Sequence, residues 1–594
     1  DQYDLGMDRA PPLVDRPLRW EIDERIAADG RVLRPLDEAG GRALAARLRA
    51  EAIESLAITL IHAYANSAHE RRLAALIRTE LPHLPISLSC EVSPEIREYE
   101  RFVTTCANAY VQPLIAGYLT ALSAELDRRG FRCPLFLVTS SGDLTDLATA
   151  VAHPVRLVES GPAGGAVLAA RMARDAGLDE VLAFDMGGTT AKLCLIDGGK
   201  PQTTRSFEVG RAHRNRKGSG LPIRIPAIDL IEIGSGGGSI ARVDALGRLL
   251  VGPRSAGATP GPVCYGRGGE SPTVTDADLA LGRLDPSRFS GDVVLDVDGA
   301  SRAIADHIGA RLALDGDLAA FAIAEIVDET MASAARVHAI ESGKDVGVRA
   351  MIAFGGAGPI HAARVAQKLG VSRILIPPNA GVGSAIGFLA AGLAFEQAHS
   401  LFMPLEAFDA GRVNEVLSDM SAAARGLLGG EGHRYREARL AYMRYRGQGH
   451  EITVDPGAGR LDDAAPSRLR AAFEARYAQL FGRAIPDLAI EILTWTLRVE
   501  RIEAPPPTVS GAAAHGVPEP ERRLAVFDPR AGARIDYAVI DRAALAAGAR
   551  RSGPCLISEE QTTTVVPSDF ELEVAAGGVL LLTRKPGATR DGDG

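Results

Sequence analysis

No stretch of this 594-residue chain is apolar for the roughly 18 to 20 residues that a membrane-spanning helix requires. Basic excess is also missing. The 66 lysines and arginines stand against 75 aspartates and glutamates, and the two signs are mixed along the chain. A net charge of −9 leaves no basic face for nucleic acid. Cysteine is scarce: Cys90, Cys106, Cys133, Cys194, Cys264 and Cys555 are scattered and form no C-x-x-C pair. That pattern excludes a disulfide framework and a zinc ribbon; the six are expected to be core thiols in a reducing cytoplasm. The first residues show no signal-peptide pattern. Two nucleotide motifs fail on inspection. Gly343-Lys344 runs into Asp345, so it is no P-loop, and His361 stands where a dinucleotide fingerprint needs its third glycine after Gly356 and Gly358. No internal repeat of solenoid period is present.

With 46% hydrophobic and 24% charged residues, the chain has the composition of a soluble globular protein. Its length predicts about three or four domains. Residues 38–90 alternate helix and strand (helices at 38–52 and 68–81, strands at 56–64 and 85–89), an α/β texture. Ser93-Pro94-Glu95 reads as a helix start, with Pro94 in the first turn and Glu95 and Glu98 at the positive end of the dipole. Glycine turns and short apolar strands fill 131–398, interrupted by the helical stripe Ile323, Ile326, Val327, Met331, Ala334 and Val337. Beyond residue 400, strands are expected at 438–446 and 450–454, a stiff linker at 505–507, strands at 524–528, 555–558, 562–566 and 579–582, and a disordered tail at 587–594.

The sharpest local signal is Asp185-Met186-Gly187-Gly188-Thr189-Thr190 between two apolar strands. Glycines let backbone N–H groups cradle phosphate oxygens, threonine hydroxyls add donors, and the aspartate is placed to organise a magnesium ion. Taken alone, the same residues describe a β-hairpin whose two glycines merely turn the chain. A second glycine turn, Gly355-Gly356-Ala357-Gly358, follows a strand and opens a helix, where an anion or an adenosine edge is readily received. Small-residue helices flank the pair, one opening at Ser160-Gly161-Pro162-Ala163-Gly164-Gly165 and one at Gly381-Val382-Gly383-Ser384-Ala385-Ile386-Gly387. The order resembles the actin/hexokinase/heat-shock-chaperone ATPase superfamily, which implies an α/β, actin-like ATPase fold with a β-rich C-terminal region.

Further motifs narrow the resemblance. Glu91 to Arg101, Glu159 to Gly165, the turn at Asp185, Ile233-Gly234-Ser235-Gly236-Gly237-Gly238-Ser239, Gly252 to Gly268, Pro272 to Asp278 and Phe354 to Ala362 are similar to the hydantoinase A/5-oxoprolinase family, in family order. The resemblance implies three parts: an N-terminal domain remainder (1–130), the actin-like ATPase domain (131–398) and a C-terminal β-rich domain (399–594). It implies ATP and Mg²⁺ as cofactors and a B-type hydantoinase/oxoprolinase subunit as hetero-oligomeric partner. The C-terminal strand region is the expected docking surface. The implied activity is ATP-dependent opening of a hydantoin, 5-oxoproline or another lactam, with a ketone carboxylase subunit and a nucleotide-binding scaffold as alternatives. Asp185 is the implied catalytic and metal residue. Gly187, Gly188, Thr189, Thr190, Gly236, Gly237, Gly238, Gly355, Gly356, Ala357 and Gly358 are the implied nucleotide contacts. Two departures stand out. The first phosphate loop of such proteins has no counterpart here, so a fragment with weak ATP affinity is expected; and Lys192 stands where the family usually has aspartate.

Several residues keep open readings. Gly236 to Gly238 either approach a ligand or form a flexible turn. Lys192 either adds a cation to the phosphate turn or points to solvent, the latter being the expectation. Asp276 is expected to cap a helix, and His361 either caps a helix or meets a ligand. Asp569, Glu571 and Glu573 are expected to form a solvated strand face.

Overall fold

The apolar runs 181–184 and 350–354 become adjacent parallel strands in the computed structural model, which describes residues 5–6, 10–211, 218–289, 293–502, 520 and 522–586. Continuous apolar sequence is what a strand covered on both faces requires. The chain forms two compact units that interleave along it. One comprises Asp1–Ser160, Thr203–Ala227 and Ala391–Ala504, and the other Gly161–Gln202, Ile228–Ala390 and Pro505–Gly594.

The second unit is built on a nine-stranded mixed sheet. Its strands are β1 (Glu180–Met186), β2 (Ala191–Asp197), β3 (Ile231–Ile233), β4 (Ala350–Phe354), β5 (Arg373–Ile376), β6 (Arg550–Ser552), β7 (Phe570–Val574) and β8 (Leu580–Arg584). They lie in the order β3-β2-β1-β4-β5-β8-β7-β6, with Lys200–Pro201 beside β2. Only β1–β4 and β4–β5 pair in parallel. The helices are α1 (Ser160–Asp175), α2 (Val274–Ala280), α3 (Gly316–Glu341), α4 (Gly358–Leu369) and α5 (Gly383–Ala390). The stripe read from sequence lies within α3, whose Ile323, Val327 and Met331 join Leu182, Phe184, Leu193, Leu195 and Met351 in one core. A four-stranded sheet of Arg522–Asp528, Ala533–Asp541, Cys555–Ser558 and Thr563–Val566 completes this unit.

In the first unit, Ala394–Pro404, Ile490–Arg501, Tyr435–Tyr445 and Ile452–Val454 form an antiparallel sheet in that order. Trp495, Leu497, Met443 and Tyr445 on this sheet share a core with Val413 and Leu417 of the helix Ala410–Leu427 and Leu469 and Phe473 of the helix Ala465–Phe481. The N-terminal part pairs Leu56–Ile58 with Ile86–Leu88 in parallel, flanked by the helices Glu38–Ala50 and Ala68–Glu80. Both strands are shorter than the sequence suggests. The buried carboxylate of Glu70 takes the N–H groups of Leu60 (2.8 Å) and Cys90 (2.9 Å), ending each strand locally.

Three expectations need correction here. The long helix begins at Glu98 and runs to Arg128, so Glu95 is not in its first turn. Glu95 is instead 1% exposed, with Arg205 on one oxygen at 2.6 Å and Arg224 on the other at 2.7 Å. Burial opposes its charge, but the two guanidiniums win and hold its carboxyl below the ordinary range. Asp569 precedes its strand and is buried, accepting from Gln367 and facing Arg530 and Arg584, each at 3.3 Å; only Glu571 is solvent-exposed as expected. Within the C-terminal strand region, β8 lies between β5 and β7, with Leu580 and Leu582 fully buried. Cys194, Cys264 and Cys555 are core thiols, whereas Cys133 is exposed and Cys90 and Cys106 are half-buried. The expected linker 505–507 and tail 587–594 lie outside the described residues. Among the described residues no helix is long and apolar enough to cross a membrane.

Candidate functional site

The three glycine-rich segments singled out in the sequence meet at one end of the β1–β2–β4 sheet. β1 and β2 pair with Asp185 opposite Lys192 and Met186 opposite Ala191, leaving residues 187–190 as the connecting turn, closed by Gly187 N–H on the Thr190 carbonyl at 3.1 Å. Gly237 N–H donates to the Gly187 carbonyl (3.0 Å) and Gly238 N–H to the Gly188 carbonyl (2.6 Å). Ala357 N–H donates to the Met186 carbonyl at 2.9 Å. Thr275, at the start of α2, ties its own N–H to the Gly237 carbonyl at 2.7 Å. One turn is thus held from two sides by the other two.

The glycines serve two different purposes. Gly236 and Gly355 are glycine because neighbours leave no room: an added Cβ would lie 2.6 Å from the Thr189 backbone in the first case and 2.4 Å from the Met186 carbonyl in the second. Gly355 also has φ +88°, which disfavours any side chain. Gly236, Gly237 and Gly238 are buried, so they brace the turn rather than form a loose loop. Gly187 and Gly188 behave otherwise. Neither has positive φ, and a Cβ would meet nothing closer than 3.9 Å at Gly187 and nothing within 4 Å at Gly188. The tight hairpin that demands left-handed glycines is therefore not what these two supply. Gly188 and Thr189 are exposed, and neither N–H has a backbone partner among the described residues. Gly356 is likewise exposed, with a Cβ position 3.7 Å from the nearest atom.

Asp185, at the end of β1, is half-buried, and Ser384 at the start of α5 donates to it at 2.9 Å. Burial pushes its carboxyl above the ordinary aspartate range, against the Ser384 hydrogen bond and the charge of Lys192, so a nearby cation would favour its ionised form. Ser384 is delivered by a close helix crossing. A Cβ on Gly387 would be 1.7 Å from the Gly164 carbonyl oxygen, and one on Gly164 would be 2.5 Å from the Ser384 carbonyl oxygen. The small faces of α1 and α5 therefore place the hydroxyl that orients Asp185. Sequence reading found both faces but not Ser384, since a serine among small residues carries no signal of its own.

Three neighbouring residues differ from expectation. Lys192 does not point to solvent: its ammonium donates to Thr190 Oγ1 and pairs with Glu232 at 3.3 Å. Thr273, not Asp276, caps α2; Asp276 is the third residue of the capping box, and its carboxylate also takes the N–H groups of Cys264 (2.7 Å) and Val263 (3.2 Å). His361 neither caps a helix nor faces a ligand. It is fully buried in α4, with Asp328 of α3 on Nδ1 at 2.8 Å and Asp278 of α2 on Nε2 at 3.0 Å, while Arg283 reaches Asp278 at 3.2 Å. Among the described residues no group of three or more His, Cys, Asp or Glu is placed to hold a metal ion.

Comparison with known proteins follows the same lines. The hydantoinase/oxoprolinase family model matches residues 101–397, its N-terminal-region model residues 1–81 and its C-terminal-domain model residues 408–582. An uncharacterized protein of Methanocaldococcus jannaschii is 34% identical over 98% of this chain and 85% of its own. The caprolactamase subunit alpha of Pseudomonas jessenii is 33% identical over 98% of this chain and 84% of its own. The acetophenone carboxylase gamma subunit of Aromatoleum aromaticum is 30% identical over 96% and 79%. Among solved structures, the ATP-dependent caprolactamase of Pseudomonas jessenii superimposes with a TM-score of 0.84 at 31% identity, covering 98% of this chain and 84% of that one. Nucleotide-free acetone carboxylase superimposes with a TM-score of 0.76 at 26% identity, covering 97% and 82%.

Proposed function

The chain belongs to the hydantoinase/oxoprolinase family, and from that premise we propose that it is the ATP-handling subunit of an enzyme that opens a cyclic amide. The observation that carries the reading is the pair Gly187 and Gly188, glycines that neither backbone conformation nor packing requires. Close approach of a ligand to their backbone is the remaining reason for the missing side chains. The open N–H groups of Gly188 and Thr189 suit phosphate oxygens. Gly355, Gly356, Ala357 and Gly358, opening α4, form the adenosine side of the same site, and Gly236, Gly237 and Gly238 hold the phosphate turn in shape. The second unit is on this reading an actin-like ATPase core.

Asp185 is one half-buried carboxylate oriented by Ser384. That donor set suits a magnesium ion which keeps most of its waters and is held chiefly through a nucleotide, rather than a protein cage. Bound here, ATP would supply a phosphoryl group to the amide oxygen of the substrate and so make the amide carbon open to water. Addition of that water would break the ring C–N bond and leave an acyl phosphate for a second water to hydrolyse. The protein's part is to align the phosphates on backbone donors and to orient Asp185 through Ser384. Similarity to caprolactamase favours a lactam; similarity to the ketone carboxylases keeps an ATP-dependent carboxylase subunit as the second reading. Two relatives are named as subunits, which supports a partner subunit, on this reading of the B type.

Asp185→Asn is expected to lower ATP hydrolysis by the assembled enzyme roughly 10–100-fold with an unchanged melting temperature, because shape is kept and charge is lost. Undiminished turnover would falsify the assignment. Dependence of that turnover on a lactam supports the hydrolase, and dependence on a ketone with bicarbonate supports the carboxylase.

A further inference from the structure

Across β3, β2 and β1, Glu232, Lys192 and Asp185 stand directly opposite one another in a single row. Residues in register on adjacent antiparallel strands project to the same face and interact. The row therefore sets an ammonium between two carboxylates at the end of the sheet where the turn 187–190 opens. Lys192 donates to Thr190 Oγ1, the last hydroxyl of that turn. A hydroxyl oxygen that accepts from an ammonium has its own proton left to donate elsewhere. The remaining partner of the ammonium, Glu232, is 3.3 Å away with a side chain 49% exposed, against 20% for Lys192. An ion pair with one partner half-exposed is weakened by water and readily exchanged. Lysine also carries its charge on a flexible four-carbon stem, so the ammonium can move while the strand stays fixed.

We propose that Lys192 is a phosphate-binding residue of the turn, its ammonium leaving Glu232 for the polyphosphate of the bound nucleotide while Thr190 donates its hydroxyl proton to the same group. The proposal rests on the nucleotide reading of the turn 187–190. Glu232 acts as a resting counter-ion that competes with the nucleotide for this cation. Asp185 stands on the other side of the row, opposite the same lysine.

Calorimetric titration of the purified chain with ATP, ADP and adenosine at fixed magnesium tests the proposal, using Lys192→Gln, Lys192→Arg and Glu232→Gln. Lys192→Gln is expected to weaken ATP at least about tenfold, which one charge-assisted contact is worth, to weaken ADP less, and to leave adenosine unchanged; Lys192→Arg should recover part of the loss. Glu232→Gln, a substitution at an exposed position, is expected to tighten ATP several-fold by releasing the ammonium. Equal losses for adenosine and ATP, or no loss for either, overturn the proposal, as does an unaltered ATP affinity in Glu232→Gln. A wild-type chain with no affinity for any of the three ligands overturns the parent reading instead.

Discussion

Four buried side chains in mutual contact, His361, Asp278, Asp328 and Arg283, join α2, α3 and α4 at the residue scale. Burial alone would depress the imidazole. The carboxylates of Asp278 and Asp328 outweigh it and lift His361 from an ordinary 6.5 to about 10. Asp278 moves the other way: burial would raise it, but His361 and Arg283 hold it below its ordinary 3.8. The stabilisation linked to His361 is complete below about pH 6.5, declines as pH rises and is gone above about 10. That linked to Asp278 is present above pH 3.8 and is lost as pH falls through its depressed value. Both are full between about pH 4 and 6.5. His361→Gln should therefore destabilise the chain by about 3–5 kcal/mol in that window, the cost of stranding buried charge, and the deficit should shrink steadily toward pH 10. Urea melts of both proteins across this range measure it; a deficit flat with pH would rule out a charged imidazole. None of this was legible in sequence, where His361 is merely a histidine near a helix start. Its partners lie 33 and 83 residues away and declare themselves only once three helices pack.

Elements defined by their own periodicity or punctuation were the legible ones. The hairpin around Asp185, the glycine turn before α4 and the stripe of α3 are local patterns, and all three occupy the expected residues. The strand Ile490–Arg501 is not among the expected strands although Thr494 to Glu500 alternates polar and apolar. Arg498 is in fact drawn inward by Asp143 at 2.6 Å, and Thr494 by Ser400 at 2.8 Å. Glu95 was misplaced for the same reason: two distant arginines, not a helix dipole, decide where it lies. The helix crossing at Gly164 and Gly387 yields a paired test. Gly387→Ala should cost about 1–3 kcal/mol or more through steric overlap, and should weaken nucleotide binding by shifting Ser384 away from Asp185. Gly117→Ala, in the helix Glu98–Arg128 with nothing within 4 Å of the added methyl, should instead stabilise by about 0.5–1 kcal/mol, as replacing a mid-helix glycine does. Thermal melts of both variants compare the two positions directly. Equal effects would show that close packing is not what makes Gly387 a glycine.

At the scale of the whole molecule the path of the chain is the least local feature. The last described segment returns to lay β8 against β5, some two hundred residues earlier in the sequence, a pairing that no pattern within either strand announces. β8 is interior to its sheet, and the helix Glu98–Arg128 offers a further surface for a partner subunit. No charged residue occurs from Phe102 to Ala124 once the buried Arg101 is passed. Tyr110, Leu114 and Tyr118, four residues apart and so on one face, are 73%, 77% and 61% exposed. Together they offer roughly 400 Å² of side-chain surface, a substantial part of the 800 Å² or so that each partner contributes to a standard interface. Monomer surfaces seldom leave such neutral apolar area open without a use. The expected occupant is a second subunit of the proposed enzyme, since two relatives of this chain are named as subunits, of caprolactamase and of acetophenone carboxylase. Co-expressed with such a subunit, the chain should co-elute with it in size-exclusion chromatography. Leu114→Glu combined with Tyr118→Glu should abolish co-elution without lowering the melting temperature, because both side chains already face water. Co-elution that survives the double variant removes this face from the interface, and a homodimer of the chain alone that the double variant dissolves assigns the face to a second copy instead.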